Sequence, residues 1–165
     1  MYFISGLLYG IDNMKICDVL DRKSILPDLK ARNKKGILEE LVIPVAEIAG
    51  VSQKDLTKVL MERERLGSTG IGGGIGIPHG KMKDLDSLVL GFGLSRKGID
   101  FESIDGEPTH IFFVLITPED TTGLHLKLLA RISRILKNDH FKERLLNASD
   151  RDELYEIIKQ EDEEF

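Results

Sequence analysis

The segment with the clearest capacity for chemistry is a glycine-rich stretch that ends in a histidine. Residues 67–80 read GSTGIGGGIGIPHG, and so many glycines disfavour a regular helix. Pro78 restricts its own φ and favours an extended Ile77, while Gly80 permits a sharp reversal directly after His79. An imidazole presented in this way could act as a nucleophile, since neutral imidazole is nucleophilic and largely uncharged near neutral pH. The local pattern leaves a second interpretation open, in which His79 is a structural histidine of a turn.

Two nucleotide-binding motifs and a metal site can be tested against the same residues. A P-loop requires glycine five residues before its Gly-Lys pair, but Ile75 occupies that position, and Met82 replaces the required Ser or Thr. A dinucleotide fingerprint also fails, because Ile75 and Ile77 stand where its third glycine is needed. The four histidines have no ligand-like spacing and Cys17 is the single cysteine, so no metal site and no disulfide are predicted.

The elements that must position this loop follow from hydrophobic periodicity and capping residues. Apolar residues at helical spacing predict a first helix with Ile37, Leu41, Val45 and Ile48 on its inner face. Strand 110–117 is apolar on both faces, which predicts a central position in a sheet. Helices are predicted over residues 36–49, 52–65, 122–137, 139–146 and 149–160, with the ends at 65, 146 and 160 approximate. Strands are predicted over residues 87–95 and 110–117. Helices before and after the strands predict a sheet covered on both faces.

Length and composition are those of one folded domain. The chain has 165 residues, 41% hydrophobic, and a net charge of -5, which argues against a nucleic-acid partner. The apolar start, MYFISGLLYGI, is too short to span a bilayer and lacks a preceding basic region. We therefore expect a cytoplasmic protein with no membrane insertion. We interpret residues 1–14 as an N-terminal extension, 15–160 as the domain and 161–165 as a solvated acidic tail.

Residues 63–81, RERLGSTGIGGGIGIPHGK, closely resemble the active-site motif of a known family. This family comprises the IIA components of the sugar phosphotransferase system of the fructose–mannitol type, including their nitrogen-regulatory branch. The resemblance extends over roughly residues 15–160. It implies an α/β fold, a three-layer α/β/α sandwich with a mixed central sheet, and no cofactor. It also implies that the histidine of the I-P-H-G turn accepts a phosphoryl group from HPr or a paralogue and donates it to a cysteine of a IIB partner.

The resemblance assigns site residues singly. It implies that His79 is the phosphoryl acceptor, and that Arg63 and His125 lie beside it as a cation and a hydrogen-bond donor. Such groups stabilise the charge on a phosphoryl group in flight. Four neighbours are candidate phosphate-binding residues: Ser68, Thr69, Gly80 and Lys81. Turn capping by Ser68 and Thr69 and a solvated charge at Lys81 remain open alternatives. His110 and His140 match no family position, and we interpret both as structural.

The resemblance leaves the biological role of the domain open. The first hypothesis is a phosphocarrier that takes a phosphoryl group from an HPr-like protein and passes it to a IIB component. The alternative is a purely regulatory module, whose binding to a kinase or transporter depends on its phosphorylation state. A third hypothesis is an unrelated anion-binding domain that never forms a covalent phosphate.

Overall fold

A computed structural model describes residues 14–165 of the chain, apart from the side chain of Thr122. The prediction for residues 1–14 therefore lies, except for Met14, outside the described residues. A short 3-10 helix, Ile16–Asp18, precedes strand β1. The helices are α1 (Lys34–Ala49), α2 (Gln53–Arg65), α3 (Thr122–Ile135), α4 (Asp139–Asn147) and α5 (Arg151–Glu164). Within residues 14–165, no helix combines the length and the hydrophobicity needed to cross a membrane.

The six strands within residues 14–165 form one mixed sheet. They are β1 (Leu20–Leu26), β2 (Gly70–Gly72), β3 (Ile75–Gly76), β4 (His79–Met82), β5 (Val89–Ile99) and β6 (Thr109–Pro118). Their order is β1-β5-β6-β3-β2, and β4 also pairs with β6. The β1/β5, β3/β6 and β4/β6 pairs are parallel, whereas β5/β6 and β2/β3 are antiparallel. The predicted central position of strand 110–117 is confirmed. This strand is β6, which pairs with β5 on one side and with β3 and β4 on the other.

Side chains of β6 alternate between two hydrophobic cores. Ile111, Phe113 and Leu115 belong to the core under α3, α4 and α5, which Ile132, Phe141 and Ile158 help to fill. The next residues along the strand, Phe112, Val114 and Ile116, belong to the core under α1 and α2, with Ile37, Leu41, Leu56 and Leu60. Alternation of this kind is the period of a strand buried on both faces. The predicted three-layer α/β/α sandwich is therefore confirmed.

The glycine-rich stretch differs from the expected irregular loop. It contains β2 and β3, which are joined by a tight turn at Gly72, Gly73 and Gly74 with φ values of 92°, 66° and 80°. Non-glycine residues rarely adopt such angles, so the three glycines allow this hairpin. The carboxylate of Asp105 accepts the N–H of Gly73 at 2.9 Å. The glycines therefore form the edge of the sheet rather than a separate loop.

The prediction of a solvated acidic tail is wrong for Asp162. Helix α5 continues to Glu164, and Asp162 is only 1% exposed. Its carboxylate accepts the Nε–H of Arg131 at 2.8 Å and the backbone N–H of Cys17 at 3.1 Å. A buried carboxylate requires such partners, and their positions depend on the tertiary fold. A run of acidic letters could not indicate this contact.

Candidate active site

His79 is the first residue of β4, where the chain leaves the glycine-rich hairpin. It lies beside Leu115 of β6, and the backbone N–H of Leu115 donates to the carbonyl of Pro78 at 3.0 Å. The ring Nδ1 of His79 lies 2.8 Å from the carbonyl oxygen of Ile77. Since a carbonyl oxygen only accepts, Nδ1 carries the proton in this contact. The Nε2 atom of the neutral ring is then unprotonated and has a lone pair available for attack.

His125 lies against His79 from the first turns of α3. The two ring centroids are 5.1 Å apart, and the rings meet edge to face at 65°. His125 is only 5% exposed, and its Nδ1 lies 3.0 Å from the hydroxyl oxygen of Thr117 on β6. The hydroxyl can donate or accept, so this contact permits either tautomer of His125.

The environment keeps both imidazoles neutral at neutral pH. Burial lowers the pKa of His79, and the charge of Arg63 lowers it further, against opposing effects of the Ile77 carbonyl and Glu64. Burial, followed by the positive charge that His79 carries when protonated and by that of Lys81, lowers the pKa of His125 from 6.5 to about 4. A neutral imidazole is the form that can attack an electrophile.

A shallow pocket unites the histidines with two cations. Arg63, His79, Gly80, Lys81 and His125 all line it. The Nη1 of Arg63 donates to the carbonyl of Gly67 at 2.9 Å, which holds the side chain near the end of α2. Two of its remaining lining residues are exposed leucines, Leu66 at 84% and Leu126 at 59%. The pocket therefore combines nucleophilic imidazole, positive charge and an apolar rim.

Gly80 has a packing role at this site. A Cβ atom at Gly80 would lie 2.7 Å from Cγ1 of Val59, closer than real Cβ contacts allow. The missing side chain therefore lets β4 approach α2, the helix whose last turn holds Arg63. Close backbone approach of this kind is a common reason for glycine in a strand.

Ser68 and Thr69 do not line the pocket, and their predicted contact with phosphate stays a prediction. The hydroxyl of Ser68 donates to the carbonyl of Phe101 at 2.9 Å and accepts the N–H of Gly70 at 3.0 Å. Thr69 is 3% exposed, and its hydroxyl donates to the carboxylate of Glu64. Both hydroxyls hold the loop through these contacts.

Sequence reasoning missed the two leucines of the rim. Leu66 follows α2 directly, and Leu126 faces away from the core side of α3. An apolar residue outside the inner face of an amphipathic helix is the one available signal. Single exposed leucines are common on protein surfaces, so this signal acquires meaning only when both flank the same pocket.

Comparisons with known proteins agree with this arrangement. Residues 18–161 match the family model described as phosphoenolpyruvate-dependent sugar phosphotransferase system, EIIA 2. The chain is 39% identical to a nitrogen regulatory protein of Bradyrhizobium diazoefficiens, over 88% of this chain and 95% of that protein. It is 33% identical to the fructose-specific EIIABC component of Bacillus subtilis, over 90% of this chain and 24% of that protein. The crystal structure of the nitrogen regulatory protein IIA-Ntr from Neisseria meningitidis superposes with a TM-score of 0.82 at 31% identity, covering 87% of this chain and 98% of that one.

The sandwich and the paired histidines thus define a phosphotransferase-system domain of the IIA type. More particularly, the chain belongs to the EIIA 2 family of the phosphoenolpyruvate-dependent sugar phosphotransferase system. The resemblance inferred from residues 63–81 is confirmed. Domains of this family transfer phosphoryl groups, so an activity of the phosphotransferase kind follows from membership.

Proposed function

We propose that the domain is a phosphocarrier that accepts a phosphoryl group on Nε2 of His79 from an HPr-like phosphoprotein. The observation that carries the proposal is the contact between Nδ1 of His79 and the carbonyl of Ile77 at 2.8 Å. This contact occupies the protonated nitrogen and leaves Nε2 as the nucleophile of a residue that lines the pocket. A neutral acceptor with a fixed tautomer needs no base to remove a proton before attack.

In the proposed step, the Nε2 lone pair forms a bond to phosphorus as the bond to the donor's histidine nitrogen breaks. The donor nitrogen keeps that electron pair, so the phosphoryl group moves between two nitrogens without a redox change. Arg63 and Lys81 supply positive charge for the equatorial oxygens, which carry the negative charge of the transition state. The proton of His79 remains on Nδ1 throughout, in its hydrogen bond to the carbonyl oxygen of Ile77. The same steps in reverse order deliver the phosphoryl group to an acceptor.

His125 has a proposed role that depends on the charge of the product. A phosphoryl group carries roughly two negative charges near neutral pH. Beside His125 it would oppose the burial and the positive charges that now hold the pKa of this ring at about 4. His125 then becomes a better hydrogen-bond donor after transfer than before it. The ring therefore favours the phosphorylated state.

The donor and the acceptor are both proposed to be proteins, because the pocket is shallow and has an apolar rim. Leu66 and Leu126 expose apolar surface on the rim, where a partner could cover it. The acceptor is proposed to be a cysteine of a IIB component. The Bacillus subtilis relative supports this acceptor, because its name, EIIABC component, includes a IIB part. The chain matches only 24% of that protein, which leaves most of its length for the other parts.

A second candidate function is a regulatory signal carried by the same phosphohistidine. It is favoured by the names of the Bradyrhizobium and Neisseria proteins, both nitrogen regulatory proteins. In this role the phosphorylation state controls binding to a regulated kinase or transporter. A transfer assay with isolated IIB proteins separates the two: rapid loss of label to a IIB cysteine supports transport, and stable label in their presence supports regulation.

The experiment that tests phosphoryl acceptance is incubation with phosphoenolpyruvate, enzyme I and an HPr-like protein. We expect the wild-type chain to gain one acid-labile phosphate, detected by mass spectrometry at neutral pH, and His79→Ala to gain none. His140→Asn is the matched control, because His140 is an exposed histidine of α4 and should not affect labelling. Equal labelling of His79→Ala and wild type would contradict the proposal, and absence of label in both would favour a non-covalent anion-binding domain.

A further inference from the structure

One buried carboxylate lies beside the candidate site without lining its pocket. Glu64 is 7% exposed, and its carboxylate lies 2.7 Å from the ammonium group of Lys34 on α1. It accepts the backbone N–H of Thr69 at 3.1 Å and also the hydroxyl of Thr69. A buried carboxylate is costly unless a cation and hydrogen-bond donors satisfy it. Glu64 has both, so its position is well defined.

Hydrogen bonds continue from this carboxylate to the reactive imidazole. The carbonyl of Thr69 accepts the N–H of Ile77 at 3.0 Å, and the carbonyl of Ile77 faces Nδ1 of His79 at 2.8 Å. Two residues, Thr69 and Ile77, therefore connect the Glu64 contact to the ring. Glu64 also follows Arg63 directly in α2, so the helix that holds the cation also anchors the loop that holds the nucleophile.

We propose that Glu64, held by Lys34, is a positioning residue for phosphoryl transfer: through Thr69 and Ile77 it fixes the orientation and tautomer of His79. This inference rests on the proposed function and adds a residue that touches neither substrate nor reacting atom. Its physical basis is that transfer rates depend on near-attack geometry held to a fraction of an ångström. Partners behind a reactive histidine commonly set its tautomer in this way.

The test uses two variants that break the network at different points. Glu64→Gln keeps the size of the side chain but loses the ion pair, and Lys34→Met removes the cation that compensates Glu64. The control is Glu102→Gln, because Glu102 contacts the same ammonium at 3.4 Å through a carboxylate that is 75% exposed. The readouts are the ¹⁵N chemical shifts of the His79 ring in the unphosphorylated protein and the initial rate of phosphoryl uptake from an HPr-like donor.

Wild type and Glu102→Gln should show a single Nδ1–H tautomer and equal rates. Glu64→Gln and Lys34→Met should show a mixture of tautomers and a rate lowered about 10-fold. A single tautomer with an unchanged rate in both network variants would overturn the proposal. The ring spectrum requires no donor, so it reports on the network even if phosphoryl transfer itself fails in the wild type.

A variant that is only less stable should behave differently from a variant that breaks the Glu64 network. Ile158→Val, in the core on the far side of the sheet, supplies a destabilised protein with the network intact. It should keep the wild-type ring spectrum and rate, and an equal loss of rate in this variant would overturn the proposal. If Glu64→Gln does not fold, Thr69→Val removes only the hydroxyl contact. It should move the ring shifts in the same direction by a smaller amount, and unchanged shifts would also overturn the proposal.

Discussion

The buried neutral imidazole of His125 makes stability depend on pH in a way that one substitution isolates. Its pKa is about 4 in the folded protein against an ordinary 6.5. The folded protein binds this proton more weakly than the unfolded chain does. The contribution of neutral His125 to the free energy of unfolding is therefore fully present above pH 6.5 and is lost as pH falls toward 4. Each tenfold difference in proton affinity corresponds to about 1.4 kcal/mol. The contribution lost is therefore about 2 kcal/mol by pH 5 and about 3 kcal/mol by pH 4.

The perturbation is His125→Asn, whose side-chain amide can still reach the hydroxyl of Thr117 but does not titrate. Urea unfolding of both proteins between pH 7.5 and 4 gives a difference in the free energy of unfolding at each pH. Lost packing in the variant adds a constant to this difference, and carboxylates shared by the two proteins cancel. We expect the stability advantage of the wild type to shrink by about 3 kcal/mol over this range. A difference that does not vary with pH would refute the inference that His125 is buried in its neutral form.

Three further predictions follow from other contacts. Gly80→Ala should lower the free energy of unfolding by about 2 kcal/mol, because its Cβ would meet Val59 at 2.7 Å. Val59→Ala should recover part of this loss, and strict additivity in the double-mutant cycle would contradict the contact. Arg63→Lys should slow phosphoryl uptake about 10-fold in a single-turnover assay, with little change in stability. The reason is that an ammonium group cannot make the bidentate contacts of a guanidinium group. An unchanged rate would show that Arg63 does not contribute to transfer. Asp162→Ala should cost about 3 kcal/mol in chemical denaturation, because it leaves Arg131 without its carboxylate, and a cost near zero would contradict the ion pair.

Local pattern predicted the elements whose signal lies within their own residues. The bounds of α2 agree closely with the prediction, since Ser52 caps it by accepting the N–H of Asp55 and it ends at Arg65. Caps were misplaced by one residue where two capping types adjoin: Asn138 caps α4 rather than Asp139, and Asp150 caps α5 rather than Ser149. Neighbouring side chains with equal capping ability are distinguished only by the direction of the incoming chain.

Elements that depend on distant partners could not be predicted in this way. Strand β1 lacks alternation, because several consecutive exposed residues precede its buried Ser24 and Ile25. Strands β3 and β4 have only two and four residues, too few for a periodic pattern, and they exist because β6 supplies their hydrogen bonds. Ile48 has helical spacing with the core residues of α1, yet it is 40% exposed.

The candidate site shows the same division between local and distant information. The sequence around His79 indicated a presented imidazole, but only the resemblance to the IIA family associated it with Arg63 and His125. The structure brings all three to one pocket together with Lys81. The roles of Glu64 and Lys34 had no signal, since two charged residues 30 positions apart reveal their pairing only when α1 and α2 are packed together. Whether a charged side chain is buried depends on the tertiary fold and is not evident from the local sequence.

The position of the phosphoryl group on the ring is the measurement that tests the central claim most directly. After phosphorylation with an HPr-like donor, ³¹P and ¹⁵N NMR of the labelled protein identify the residue and the nitrogen that carry phosphate. We predict phosphate on Nε2 of His79, with Nδ1 still protonated and bonded to the carbonyl of Ile77. Phosphate on Nδ1, on another residue, or on none would contradict the account.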